Sequence, residues 1–421
     1  MKLNKLALAC AMTLAAGQAL ALTPADIDAN TLKVFISGSS AMQGALGKIA
    51  EGMMTAGTID VYYDTASNGK NYRAYFGTVS GTNTTLDGKK VLLQDRALGG
   101  SFQGVGPVAR AQSIASMAID SAAGNCVATG AAYPAATYKC ANTVNAVPDA
   151  GVSDVEPALF VGANLPAGES ALTTTEASHI SPASQNAVVF GIAVNDNVSL
   201  TNLSRSQITS LLTGAYQNWG MVSPSLAGKY VRVQRRAPGS GTQASANAYF
   251  GSYPCSTGFT SLADATASNP GVYEVVENSS TGGVIAGLNA DFAAGKSSIG
   301  LVSTENTPVS GTDHWHFVSI DGVAPGVANA IAGKYDYFVE QSIQWRNAAV
   351  NGTPAPTVLM QTFLDTFKTR SGSPTVLAAL PGVAALPTNY TPTLDVNGNV
   401  TNGVMKGTKL NNTCSPTQLY Y

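Results

Sequence analysis

Val231-Arg-Val-Gln-Arg-Arg-Ala-Pro-Gly-Ser-Gly-Thr-Gln-Ala-Ser-Ala-Asn-Ala-Tyr-Phe250 is the stretch of sequence that decides the fold. Its valines alternate with polar neighbours, as they do in a half-buried strand, and Pro238-Gly239 ends that strand in a turn. Ser240 or Thr242 can then cap a helix that runs from Gln243 to the end of the stretch. The sequence therefore predicts a strand, a glycine turn and a helix N-terminus in direct succession.

This junction has the chemistry of an anion site. The first N–H groups of a helix lack intrahelical partners, and the helix dipole adds partial positive charge there. Arg236 precedes the turn and can bind two oxygens of a tetrahedral anion with its guanidinium group. The stretch is neither a Walker loop, since no Lys follows Gly241, nor a nucleophile elbow, since Pro238 and Thr242 replace the required glycines. Taken alone, it is also compatible with a plain strand–helix connection.

The amino terminus predicts an exported protein. Met1–Ala21 has the two lysines, the short apolar run and the small-x-small cleavage site, Ala19-Leu20-Ala21, of a secretory signal peptide. Cys10 belongs to this leader and is expected to leave with it. No later segment offers the about 18–20 continuous apolar residues that a membrane-spanning helix needs. We expect a soluble periplasmic or secreted protein without membrane insertion.

Length and charge narrow the class of protein further. About 400 of the 421 residues follow the leader, which suits two lobes better than one compact core. Without Lys2 and Lys5 there are 21 basic against 25 acidic side chains, a net charge of about −4. With only 11% charged residues, this balance argues against nucleic acid as a partner. It leaves room for a small anion, which local dipoles can hold.

Four cysteines remain after the leader, an even number that indicates disulfides in an exported chain. Three pairings are possible, and the local pairing Cys126–Cys140 with Cys255–Cys414 is favoured because Cys126 and Cys140 bracket a loop that gains from a crosslink. No spacing of cysteine or histidine indicates a metal site, and we expect no cofactor.

Further along the chain, strands and helices alternate around glycine- or serine-rich turns. Leu32–Ile36 and Val91–Gln94 read as strands that each end in such a turn. The uninterrupted apolar run Ala187–Ala193 is typical of a buried strand in a parallel sheet. Asn329–Asn347 and Thr357–Lys368 read as helices. The pattern predicts an α/β fold with mostly parallel sheets, in which several helix N-termini meet at one crevice.

At this point the sequence resembles a known family, the phosphate-binding proteins of phosphate ABC importers, within the type II periplasmic binding proteins. Arg235-Arg-Ala-Pro-Gly-Ser-Gly-Thr242 resembles the family's Arg-Arg-Ala-Asp-Gly-Ser-Gly-Thr loop. Gly38-Ser-Ser-Ala-Met42 is similar to its first glycine-rich loop, and Gly100-Ser-Phe-Gln-Gly104 to its second. Gly151-Val-Ser-Asp-Val-Glu-Pro157 is similar to the Gly-x-Ser-Asp-x-Pro stretch. These motifs occur in the family's order.

The resemblance implies a two-lobed type II periplasmic-binding-protein fold with a ligand cleft between the lobes. Lobe I would comprise residues 22–190 and 303–421, with insertions at about 64–90 and 121–150 and a C-terminal tail, and lobe II residues 191–302. The implied phosphate ligands, through hydroxyl or backbone groups, the carboxylate or the guanidinium, are Ser39, Ser40, Ala41, Met42, Ser101, Asp154, Arg236, Ser240, Gly241 and Thr242.

The implied function is binding of inorganic phosphate for uptake by a monomeric, non-enzymatic protein, with a phosphate ABC permease as a further partner. Two alternatives stay open at this stage. The first is a secreted phosphatase that uses the same oxyanion pocket. The second is a cell-surface or extracellular matrix protein that kept the fold, with its insertions and tail carrying the role.

Overall fold

A computed structural model describes residues 22–41, 43–81, 83–120 and 124–419 of the chain. The predicted leader and Met42 lie outside the described residues. The strands are β1 (Leu32–Gly38), β2 (Asp60–Asp64), β3 (Tyr72–Thr78), β4 (Lys90–Arg96), β5 (Ile114–Met117), β6 (Cys126–Ala128), β7 (Tyr138–Cys140), β8 (Thr143–Ala146), β9 (Ala150–Ser153), β10 (Ala183–Asn195), β11 (Asn202–Leu203), β12 (Val231–Arg236), β13 (Tyr273–Asn278), β14 (Ser297–Ser303), β15 (Trp315–Ile320), β16 (Phe338–Trp345), β17 (Val383–Ala385), β18 (Gly407–Thr408) and β19 (Gln418–Leu419). The helices are α1 (Gln43–Glu51), α2 (Gly106–Arg110), α3 (Thr174–Ser178), α4 (Arg205–Thr213), α5 (Gly241–Gly251), α6 (Thr281–Ala293), α7 (Val327–Ile331), α8 (Val358–Gly372) and α9 (Pro374–Leu377).

Strand β10 links the two lobes. Its first half, from Ala183 to Val189, pairs antiparallel with β16. Its second half, from Phe190 to Val194, pairs antiparallel with β14. The apolar run in its middle is buried throughout, because β-sheet neighbours cover both edges of the strand and side chains cover both faces. A single strand is thus part of both sheets and fixes how they meet.

On each side of this strand the central pairings are parallel. In lobe I, β1 lies between β4 and β9 and is parallel to both. In lobe II, β12 lies between β13 and β14 and is parallel to both. The carboxyl ends of parallel strands meet at one edge of a sheet, so the turns after β1, β9 and β12 come together there. The predicted α/β architecture is confirmed.

Two elements differ from the sequence-based expectation. Ala187–Ala193 is the predicted buried strand, but its partners β14, β15 and β16 are all antiparallel to it. An apolar run indicates that both faces of a strand are buried. Because a strand at the centre of a mixed sheet is also buried on both faces, the run does not establish parallel pairing. Asn329–Asn347 is not one helix. It divides into the end of α7 and the buried strand β16, where strand pairing with β9 and β10 overrides the local helical pattern.

The lobe boundaries at residues 190 and 302 remain a proposal. Strand β15 follows the second boundary, yet it pairs with Ile192–Asn195 of β10, on the lobe II side. The insertion at about 64–90 contains β3, which is largely buried and extends the sheet of lobe I between β2 and β4. No helix in the described part of the chain is long and apolar enough to cross a membrane.

Both predicted disulfides are present. Cys126 and Cys140 face each other across the β6–β7 hairpin, with a Cα–Cα distance of 4.0 Å. Cys255 follows α5 and pairs with Cys414 in the C-terminal tail, with a Cα–Cα distance of 5.3 Å. The second crosslink therefore ties the tail of the chain to lobe II, across 159 residues of sequence.

Hydrogen bonds hold the same tail against lobe I. The carboxylate of Glu340 in β16 accepts from Thr408 Oγ1 at 2.6 Å, Lys409 N at 2.7 Å and Asn411 N at 2.6 Å. The carboxylate of Glu156 accepts from Thr413, from its N at 3.0 Å and its Oγ1 at 2.6 Å. The tail is thus bound to both lobes.

The first prediction concerns the relative weight of the two crosslinks. In the chain-entropy model a loop of about 15 residues contributes about 3 kcal/mol and one of about 160 residues about 5 kcal/mol. Replacing Cys255 and Cys414 together by alanine should therefore lower the free energy of unfolding more than replacing Cys126 and Cys140 together. Urea unfolding of the oxidised mature proteins measures both losses, and the reverse order would contradict the assigned role of the tail.

Candidate functional site

The site lies where three turns meet at the carboxyl ends of β1, β9 and β12. A close approach of backbones brings the first two together: Gly38 has φ of +132°, and a Cβ at this position would lie 1.9 Å from the carbonyl oxygen of Val152. Only glycine permits this contact. The next residue in the chain, Ser39, is thereby placed beside Asp154.

Asp154 is buried at the centre of the site and accepts hydrogen bonds from three side chains. Its Oδ1 accepts from Ser39 Oγ and, at 3.2 Å, from Gln341 Nε2, while its Oδ2 accepts from Ser101 Oγ at 3.1 Å. Burial raises the pKa of the Asp154 carboxyl, and these three donors together with the charge of Arg236 act in the opposite direction. All three donors use the carboxylate as an acceptor, and Oδ2, with one partner, keeps room for another.

Arg236 supplies the positive charge of the site from lobe II. Its Nη1 donates to Thr281 Oγ1 at 3.1 Å and its Nη2 to the carbonyl of Ser279 at 3.0 Å. Its Nε has no hydrogen-bond partner although it is buried. Burial lowers the pKa of Arg236 to about 10, opposed by the charge of Asp154, so the guanidinium remains protonated at neutral pH. A buried cation with an unused donor is costly unless an acceptor meets it.

Two hydroxyl groups of the site are also buried without a hydrogen-bond partner. These are Ser40 Oγ and Thr242 Oγ1. Thr242 lies in the first turn of α5, whose N-cap is Ser240, with its Oγ accepting from Gln243 N at 3.4 Å. The first N–H groups of α5 have no intrahelical acceptors. The arrangement offers donors from a guanidinium, two hydroxyls and a helix N-terminus, which is the donor set of an oxyanion site.

Lobe II contacts lobe I closely at this point. A Cβ at Gly241 would lie 2.4 Å from Ser101 Oγ and 2.7 Å from Asp154 Cβ. The backbone N of Phe102 donates to the carbonyl of Gly239 at 2.9 Å, and the N of Gly239 donates to the carbonyl of Asn164 at 3.0 Å. The two lobes are therefore closed on the site, and Gly241 is glycine because no side chain fits between them.

Every predicted site residue among the described residues lies in or beside this site, and they have different roles. Ser39 and Ser101 donate to Asp154, whereas Ser40 and Thr242 keep free hydroxyls. The backbone N of Ala41 donates to Ser39 Oγ at 3.1 Å and so orients it. Met42 lies outside the described residues.

Arg235 differs from Arg236 although both are buried. Its Nη1 donates to the carbonyl of Ala263 at 2.6 Å, and its Nε lies 3.7 Å from the carboxylate of Glu277. Successive residues of a strand point to opposite faces, so Arg235 is turned away from the site and supports the packing behind it.

Sequence reasoning missed Gln341 and Thr281. Gln341 lies in β16, within the segment that was predicted as a helix, and its contact with Asp154 joins residues 187 positions apart. The last four residues of β16, Ser342-Ile-Gln-Trp345, alternate between polar and apolar and were a usable strand signal. Thr281 is the first residue of α6, and its contact with Arg236 depends on the parallel pairing of β12 with β13.

His314 and His316 lie on β15 or directly before it, and their contacts bear on whether they could bind a metal ion. His316 Nδ1 lies 2.9 Å from Asp196 Oδ1, and the ring of His314 stacks on Phe292 with a centroid distance of 4.1 Å. Within the described residues, no group of three or more His, Cys, Asp and Glu side chains is placed to hold a metal ion.

Among known proteins, similarity to this chain is found in solved structures and not in sequence. No protein-family profile matches the sequence, and no curated protein matches it. A high-affinity periplasmic phosphate-binding protein, PfluDING, solved with bound phosphate, has 14% sequence identity and a TM-score of 0.50, with 88% of this chain and 96% of PfluDING covered. A putative phosphate ABC transporter substrate-binding protein from Clostridium perfringens, also solved with phosphate, has 13% identity and a TM-score of 0.48, covering 82% of this chain and 96% of that one. An ABC-type phosphate transport receptor from Vibrio cholerae has 14% identity and a TM-score of 0.42, covering 82% and 97%.

At these identities the comparison concerns the fold, and it agrees with the resemblance carried by the sequence motifs. The match to PfluDING extends over almost the whole of both chains, so it includes both lobes and the cleft between them. The chain therefore has the two-lobed α/β fold of the periplasmic phosphate-binding proteins.

Proposed function

We propose that this protein binds inorganic phosphate, as HPO₄²⁻, in the closed site between the lobes. The observation that carries the proposal is the buried Arg236, whose unused Nε lies in a site with the free hydroxyls of Ser40 and Thr242. A tetrahedral oxyanion would satisfy these donors together with the N–H groups at the start of α5. The site binds an anion by means of one cation and several dipoles.

Asp154 selects the protonation state of that anion. A carboxylate repels a fully ionised oxyanion, but HPO₄²⁻ has one P–O–H group that can donate to Oδ2. Oδ1 already has two donors and Oδ2 has one, so Oδ2 is the oxygen with room for the ligand's proton. Gly241 lies against the same oxygen, since its Cβ would be 2.9 Å from Oδ2.

The role we propose is that of an exported solute-binding protein for phosphate uptake, monomeric and without catalytic activity. Periplasmic location, the cleaved leader and a phosphate ABC permease as partner belong to this proposal. The similar structure of PfluDING, a periplasmic phosphate-binding protein solved with bound phosphate, supports it. The secreted phosphatase and the surface protein have no separate observation in their favour.

The decisive experiment is a calorimetric titration of the dialysed protein with phosphate and with sulfate. Sulfate has no proton to donate at neutral pH, so the wild type should reject it by a factor of up to ~10⁴ relative to phosphate. Asp154→Asn keeps an oxygen for Ser39 and Gln341 and replaces Oδ2 by an amide that donates. The variant should bind sulfate better than the wild type and lose most of the discrimination.

Equal binding of phosphate and sulfate by the wild type would overturn the role of Asp154. Absence of binding to both anions would overturn the proposed function. Steady release of phosphate from a generic phosphate monoester by the wild type, abolished in Arg236→Ala, would favour the phosphatase instead.

Gly241 provides a test of lobe closure on the ligand. In Gly241→Ala the new methyl group collides with Ser101 and Asp154 of the other lobe. Overpacking of this kind costs about 1–3 kcal/mol, or roughly 5- to 150-fold in phosphate affinity. The lobes can separate to relieve the collision, so the free energy of unfolding should change less. Gly251→Ala is the matched control, because Gly251 lies at the other end of the same helix and a Cβ there comes no closer than 3.4 Å to a neighbouring atom. Equal phosphate affinity of the two variants would show that the closed site is not the binding site.

A further inference from the structure

A cavity of about 480 Å³ lies between the lobes beside the proposed phosphate site. Ser40 and Thr281 belong to both: the first offers its free hydroxyl, and the second accepts from Arg236. A water molecule occupies about 30 Å³ in the liquid, so the cavity has room for much more than the remainder of a phosphate ion. The charges and hydrogen-bond donors of the other lining residues determine which ligand the cavity could bind.

Three cationic side chains of lobe I line the cavity. Lys48 forms an ion pair with Glu51 at 2.8 Å, which offsets part of its charge. Arg73 donates from Nε to the carbonyl of Gly69 at 2.7 Å and lies 5.0 Å from the centre of the Tyr63 ring, contacts that position the guanidinium without neutralising it.

Lys70 is exposed and reaches across to lobe II. A Cβ at Gly282 would lie 3.8 Å from its Cδ, so the side chain lies along the first turn of α6. The cap of this 13-residue helix is Ser280, whose Oγ accepts from Gly283 N at 3.1 Å. Thr281 and Gly282 line the cavity with the unpaired N–H end of the helix.

Among the residues that line the cavity, Glu305 carries the carboxyl group, while Asp95, which does not line it, acts electrostatically on Arg73 from outside the cavity. Burial raises the pKa of Glu305 to about 8; the charge of Arg73 opposes the shift and that of Asp154 adds to it. At neutral pH Glu305 is therefore mostly protonated and can donate a hydrogen bond to an anion. The walls of the cavity present positive charge and donors and little negative charge.

We propose that this cavity is a second anionic subsite, and that the preferred ligand is a phosphoryl group carrying a second anionic group. The inference rests on the proposed function, because the phosphoryl group occupies the site of Arg236 and Asp154. The second group, a phosphate or a carboxylate, lies between Lys70, Arg73 and the start of α6. Pyrophosphate in its monohydrogen form keeps one P–O–H for Asp154, so both sites can be satisfied at once.

The test compares four probes by calorimetry at pH 6, where about half of each phosphate monoester keeps the P–O–H group that Asp154 requires: phosphate, methyl phosphate, pyrophosphate and phosphoglycolate. A charge-assisted contact contributes about 1.5–3 kcal/mol, so a second anionic group should tighten binding at least ~10-fold over phosphate. Methyl phosphate adds bulk without charge and should not gain. The comparison of pyrophosphate with phosphoglycolate shows whether a phosphate or a carboxylate is preferred.

Lys70→Ala assigns the gain to the cavity. The substitution is on the surface, so the fold should persist, and it should weaken binding of the favoured probe with two anionic groups ~5- to 10-fold while phosphate affinity changes less than ~2-fold. Lys89→Ala removes an exposed lysine of the same lobe that does not line the cavity, and it should change neither affinity.

The outcomes separate the two proposals. If phosphate binds and neither pyrophosphate nor phosphoglycolate binds more tightly, the subsite is refuted and the phosphate site stands. The subsite is also refuted if Lys70→Ala lowers all affinities equally or changes none. If none of the four probes binds, the proposed function itself is wrong.

Discussion

The closed arrangement of the lobes depends on one buried guanidinium. Arg236 is removed from water, with two of its nitrogens bonded within lobe II and its Nε left without a partner. Its compensating charge, Asp154, belongs to the other lobe. Burial of a single charge is far more costly than burial of an ion pair. Closure of the lobes therefore depends on the guanidinium from lobe II and the carboxylate from lobe I being buried together. The same electrostatics that favour closure leave a set of donors directed at a ligand.

Covalent and hydrogen-bonded contacts hold one side of this closure. Helix α5 begins at Gly241, against Asp154, and just beyond its end Cys255 is bonded to Cys414. The residue before Cys414 donates twice to Glu156, two residues after Asp154. Both ends of α5 are thus fixed to the segment that contains Asp154. On the α6 side the lobes meet instead across a cavity lined by exposed lysines, and this is the free side of the cleft.

The sequence could predict those parts of the site that come from one continuous segment of the chain. The strand, the turn and the capped helix around Arg236 follow from local rules about alternation, Pro-Gly and N-cap residues. Of the two predicted cap residues, Ser240 and Thr242, Ser240 caps α5. Because successive residues of a strand point to opposite faces, Arg235 and Arg236 of β12 cannot both face the site. Asp154 was found by motif resemblance, and its role as an acceptor follows from the chemistry of a protonated anion.

The parts that sequence could not supply depend on pairing between distant strands. Gln341 contacts Asp154 only because β16 pairs with both β9 and β10. The helical prediction for that region failed because local preferences near α7 do not report a partner strand far away in the chain. Likewise, an apolar run cannot distinguish parallel from antiparallel neighbours. The cavity beside the site combines Lys70, Arg73 and Thr281 from three separate segments, and no short motif contains them.

Because the chain has a net negative charge, attraction of an anion depends on the cations and helix dipoles placed locally in the cleft. With a formal net charge of −2, the chain repels an anion only weakly, and screening at physiological salt confines that repulsion to about 8 Å. An approaching ligand therefore responds to the charges nearest the entrance, which are Lys70 and Arg73 with the N-terminus of α6. Inside, the side chains of the site are buried, and in such a low-dielectric environment each donor counts for more. In the proposed function, a chain with few charges holds a multiply charged anion because its cations lie at the mouth of the cleft and a single guanidinium lies at its end.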